Sequence, residues 1–145
     1  MNRTVVVGYD GSQAARKALD YAAARVNGGK LYLVTAVVPP PEWMGSPGWQ
    51  QIVDEEHKRG SQLLEEAVGR LPETVDYSTE LLEGPAADAI VGVADARHAD
   101  AIVVGSRGLG RVRAVLGSVS HDVLHLADRP VIVVPERAAS KEEES

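Results

Sequence analysis

The chain has no cysteine and no phenylalanine among its 145 residues. Without thiols there is no disulfide framework, no thiolate nucleophile and no cysteine-based metal site. Two tryptophans and four tyrosines are the whole aromatic complement. The core therefore falls to valine, leucine, isoleucine and alanine, which suits buried parallel strands under alanine-rich helices. No run approaches the ~18 consecutive apolar residues of a membrane span, and no signal-peptide pattern precedes the first strand-like run. The expectation is a cytoplasmic protein with no membrane partner. Positive charge is also scarce: 15 Lys and Arg against 21 Asp and Glu, a formal net charge of −6. That balance argues against nucleic-acid binding, which needs a broad basic surface.

What is present is a strict alternation. Thr4 to Gly8 (TVVVG) and Lys30 to Val38 (KLYLVTAVV) are β-branched runs without polar alternation, as strands buried on both faces read. Between them Ala15, Ala18, Leu19, Ala22 and Val26 recur at helical spacing, with Ser12 placed to cap and Gly28-Gly29 to stop. The stretch 39–50, PPPEWMGSPGWQ, fits neither element. A helix follows to about Leu71, weakened by Gly60. Residues 75–82 alternate, with Val75, Tyr77, Thr79 and Leu81 on one face, as an edge strand would. Glu83-Gly84-Pro85 opens a helix to about Ala99, with proline in its first turn. Asp100 to Gly105 is a fourth strand, about Ser118 to Leu126 a fourth helix, and VIVVP a fifth strand. The expected fold is α/β: a single Rossmann-like domain over residues 1–137, a five-stranded, mainly parallel sheet with helices on both faces. Residues 138–145 read as an acidic disordered tail.

In such a sheet ligands bind outside the carboxyl ends of the strands, where strand order reverses. Three loops with suggestive chemistry leave those ends: Gly8-Tyr9-Asp10-Gly11-Ser12, Glu83-Gly84-Pro85, and GSRGLGRVRAVLGS at 105–118. In the last, glycines let backbone N–H groups approach an anion, and Gly117-Ser118 opens a helix whose amino end favours negative charge. Arg107, Arg111 and Arg113 add positive charge. The loop reads equally as a chain reversal with a capping serine. No Gly-Lys-Ser/Thr occurs, so this is no P-loop, and neither glycine cluster is a dinucleotide fingerprint. Asp10 reads either as an acceptor for a ribose hydroxyl or as a turn former. His121 and His125 stand four apart, as a metal pair would; with no third ligand apparent, surface histidines are favoured and no metal site is expected. His57 and His98 show no sequence partner. Trp43 and Trp49 read as packing residues more than as a lid. No catalytic residue emerges.

Taken together, VVVGYDGS, EGPAADAI, DAIVVGSRGLG…LGSVSHDVL and RPVIVVP resemble the universal stress protein family, in this order and over about Arg3 to Glu136. The third segment is similar to the family's nucleotide motif, G-x2-G-x9-G-[ST], except that eight residues, LGRVRAVL, separate Gly108 from Gly117 where the family has nine. The resemblance implies an ATP-binding, regulatory stress-response protein rather than an enzyme, with AMP or ADP as other occupants, Mg accompanying the phosphates, and at most slow ATP hydrolysis. By the same resemblance Asp10 holds the ribose, with Gly8 and Tyr9 on the same wall. Ala36 or Val37 meets adenine through backbone groups, and Val104, Gly105 and Arg107 flank ribose and phosphates. Gly108, Gly117, Ser118 and Val119 offer N–H groups to the phosphates. It further implies a homodimer through the last strand, which an unpaired edge would favour, and a regulatory protein partner. The alternative, favoured by the shortened loop, is a nucleotide-free dimeric interaction module of the same fold.

Overall fold

The computed structural model describes residues 3–41, 47–106 and 116–136. Strands β1 (Thr4–Gly8), β2 (Lys30–Val37), β3 (Asp76–Glu83), β4 (Ala101–Gly105) and β5 (Val131–Val134) alternate with helices α1 (Gln13–Arg25), α2 (Trp49–Gly69), α3 (Ala86–Ala96) and α4 (Ser118–Leu126). The sheet order is β3-β2-β1-β4-β5, and all four pairings are parallel. The proposed tail, 138–145, lies outside the described residues.

The valine run of β1 explains the layering. Val5 and Val7 join one buried cluster, with Ala18, Leu19 and Ala22 of α1 and Leu64 and Ala67 of α2. Val6 joins the other, with Ile90 and Ala94 of α3 and Val123 of α4. A central strand covered on both sides has no polar face to show, hence no alternation. The wiring runs outward from β1 through β2 to β3, then returns to β4 on the other side of β1. Crossovers of one hand therefore put α1 and α2 on one face and α3 and α4 on the other.

Several boundaries depart from the sequence-based expectation. Gly60 does not weaken α2. It is buried, and a Cβ there would lie 2.6 Å from Leu81 Cδ1 and 2.9 Å from Val37 Cγ1, so the missing side chain is what lets α2 lie against β2 and β3. β3 is the edge strand expected, but Tyr77 and Thr79 stay exposed, and among residues 76–83 only Leu81 of its odd-numbered face packs on that core. Pro85 is the cap of α3 rather than its first residue. The same helix ends at Ala96, and His98 takes a φ of 52° just beyond it.

Candidate functional site

Strand order reverses between β1 and β4, and a cavity of about 310 Å³ opens at their carboxyl ends. That volume falls at the lower end of the range for small-molecule sites. Of the residues singled out from the sequence, Gly8, Tyr9, Asp10, Ala36, Val104, Gly105, Gly117, Ser118 and Val119 all line it. Arg107 and Gly108 lie outside the described residues.

The first wall is the exit of β1. Tyr9 N–H donates to Val34 O at 2.9 Å, and the buried Thr35 hydroxyl donates to Tyr9 O at 2.9 Å. These bonds tie the turn to β2. Asp10 Oδ1 accepts from Ser12 N–H at 2.9 Å, and Ser12 Oγ accepts from Ala15 N–H at 3.1 Å, capping α1. Asp10 is therefore a turn former and a cavity-lining carboxylate at once. The Tyr9 hydroxyl is buried and meets no partner at hydrogen-bond geometry among the described residues, with the Arg16 and Glu66 side chains interacting beside it. Burial raises its pKa above the ordinary value; Arg16 opposes that rise and Glu66 adds to it.

β2 supplies Val34, Thr35 and Ala36. Val37 does not join them, which corrects its expected role. Its side chain is buried beneath Gly60, and its carbonyl already accepts from Gly84 N–H at 2.9 Å.

The end of β4 and the start of α4 meet at Ser106. Its carbonyl accepts from Gly117 N–H at 2.7 Å and from the Ser120 hydroxyl at 3.0 Å. Gly117 therefore spends its N–H inside the protein, a second correction, since it was expected to offer that group to a phosphate. The same bonds fix the position of α4 relative to β4. The first helical bond runs from His121 N–H to Gly117 O, so the N–H groups of Ser118, Val119 and Ser120 have no partner within the helix, and the cap residue, Gly117, has no side chain to bind them. Gly105 serves a different close approach: a Cβ there would stand 2.6 Å from the Ala14 carbonyl carbon, so glycine lets α1 begin directly over β4. The cavity thus receives the amino ends of α1, α3 and α4, through Ser12, Ala86, and Gly117 with Ser118. Three positive dipole ends directed into one hollow favour an anion.

Residues not foreseen from the sequence also line the hollow, chiefly Thr35, Arg59, Leu63 and Ile90. The 59/63 spacing, one helical turn of a single face, was a usable signal. Among the described residues, Asp10 and Arg59 are the only charged ones at the cavity. Elsewhere, His121 and His125 bring Nε2 atoms to 3.2 Å on the exposed side of α4; among the described residues no three His, Cys, Asp or Glu converge on a metal-sized space. His57, without an evident partner in the sequence, pairs with Glu83 at 2.7 Å. Trp49 donates to Pro40 O at 2.7 Å, a packing role, and Trp43 lies outside the described residues.

The sequence profile of the Universal stress protein family matches residues 1–135. A Thermus aquaticus protein, "Universal stress protein in QAH/OAS sulfhydrylase 3'region", is 35% identical over 137 residues, covering 92% of this chain and 99% of that one. Among solved structures, hypothetical protein MJ0577 superposes with a TM-score of 0.81 at 20% identity, over 93% of this chain and 96% of that one. A universal stress protein solved in complex with cAMP superposes at 0.69 with 31% identity, over 91% and 96%. No helix among the described residues is long and apolar enough to cross a membrane. With profile, relatives and superposed structures in agreement, the chain belongs to the universal stress protein family.

Proposed function

We propose that the cavity at the β1/β4 switch point binds an adenine nucleotide, ATP first among them, and that occupancy regulates a partner protein in a stress response. The observation that carries the reading is the amino end of α4, whose cap residue is a glycine. The N–H groups of Ser118, Val119 and Ser120 have no intrahelical partner, at a cavity that Asp10 and Ala36 also line. In this arrangement phosphates sit against α4, the Asp10 carboxylate accepts from a ribose hydroxyl, and the base lies over the end of β2. The family resemblance adds Arg107 and Gly108, which lie outside the described residues, as phosphate contacts. A relative at 31% identity was solved with cAMP, an adenine nucleotide, which supports the ligand class.

Mg arrives with the triphosphate and is held by it rather than by a protein cage. The output is binding, not turnover: the sequence carries no P-loop lysine, and at the cavity only Asp10 could act as a base among the described residues. The protein acts in the cytoplasm as a homodimer joined through β5. The one-residue shortening falls within 109–116, and the Ser106–Gly117 and Ser106–Ser120 bonds hold the ends of that excursion together.

Thermal unfolding with ATP, ADP, AMP and cAMP tests the reading. A ligand at one hundred times its Kd adds about 2.7 kcal/mol to stability. ATP producing that rise, with EDTA reducing it, is the expected result. No response to any of the four refutes nucleotide binding and leaves the dimeric interaction module.

A further inference from the structure

Arg59 stands on α2, one turn before Leu63, and both line the cavity. Gly60, its neighbour, lies against Val37 and Leu81, so the Arg59 backbone is held over the carboxyl end of β2. Strand order supplies a ruler. β2 and β4 flank β1, and neighbouring strands are about 4.8 Å apart, so β2 lies about 10 Å from β4. Arg59 therefore occupies the end of the cavity away from the α4 amino end. Leu63, on the same face of α2, is apolar, which suits a flat ring better than a phosphate. Glu56 holds the guanidinium edge at 2.9 Å. That ion pair offsets the charge a second anion would seek, and leaves the planar face of the guanidinium open for stacking.

We propose that Arg59 is the base-contacting residue of this site, its guanidinium lying on the face of the purine and supplying the base-dependent part of the affinity. This rests on the nucleotide reading above and goes beyond it by assigning the ring to one side chain of α2. A planar cation over a π face acts through the ring's quadrupole, so lysine, which carries the charge on a compact ammonium, is a poor substitute.

Titration calorimetry of wild type, Arg59→Ala and Arg59→Lys with AMP and with ribose 5-phosphate tests the assignment. Both variants should weaken AMP by about three- to thirtyfold and leave ribose 5-phosphate unchanged. A merely structural Arg59 would weaken both ligands alike. Equal loss for both, no loss for AMP in Arg59→Ala, or full affinity in Arg59→Lys overturns the proposal. If wild type binds AMP while the variants match it, only the Arg59 assignment falls; if wild type binds neither ligand, the nucleotide reading falls with it.

Discussion

At the scale of single residues, the exit of β1 places two polar side chains under opposite constraints. Asp10 spends one carboxylate oxygen on the turn that leads into α1, so its effect on a ligand and its effect on the fold cannot be separated by deletion alone. Tyr9 is the reverse case. Its ring packs in the cluster beneath α1 and α2 while its buried hydroxyl meets no hydrogen-bond partner among the described residues. A buried polar group without a partner costs about 1–3 kcal/mol. Tyr9→Phe removes that cost and keeps the ring, so urea unfolding should show a variant at least as stable as wild type, by up to about 1 kcal/mol. The pKa gives a second readout. Burial raises the Tyr9 value above 10.0, so the unfolded chain loses its proton first and stability falls as pH rises through that value. Tyr9→Phe should flatten this alkaline loss; a variant that loses stability at neutral pH would show that the hydroxyl has a partner in solution.

At the scale of elements, periodicity and chain punctuation made the strands and helices legible. TVVVG could only be buried on both faces, and Ser12 caps α1 as its position indicates. Strand ends in parallel sheets are where ligands go, which pointed to the loops after β1 and β4; Ala36, Val104 and Val119 were named by the family resemblance. What stayed hidden was contact between elements distant in sequence. Val37 and Ala36 are adjacent, and only the covering helix decides which of them faces the cavity. Gly117 looked like a donor, and only the proximity of Ser106 shows its N–H already taken. Gly60 is the plainest case: a helix-weakening residue by propensity, it is required where α2 meets Leu81 and Val37. Gly60→Ala, better for an isolated helix by about 1 kcal/mol, should instead destabilise the protein, and Gly60→Val should cost about 1–3 kcal/mol or more through overpacking. Chemical denaturation of both variants decides the sign. Stabilisation by alanine would mean that α2 moves off the sheet at no cost, and would remove the ruler that places Arg59.

At the scale of the whole molecule, the sheet ends in β5, a strand with one neighbour among the described residues. Ile102 N–H donates to Pro130 O and Ser106 N–H to Val134 O, so the even-numbered positions of this strand turn their backbone groups toward β4. In a parallel ladder the odd-numbered ones turn outward, leaving Val131 and Val133 to present N–H and C=O groups to a second copy. Pro135, also outward, has no N–H to give and ends the run. The proposed homodimer is a twofold pairing of these edges, which would cover the outward groups that a lone chain leaves to solvent. Val133→Pro separates assembly from folding. It removes one outward N–H and none of the bonds to β4, and proline is tolerated on an edge strand for that reason. Sedimentation should show wild type as a dimer and Val133→Pro as a monomer with the wild-type far-ultraviolet dichroism. An Ile132→Pro control should damage the fold, because its N–H faces β4. A Val133→Pro protein that stays dimeric would place the interface elsewhere, and the exposed face of α4, with Leu124 and Leu126 about half accessible, would be the surface to change next.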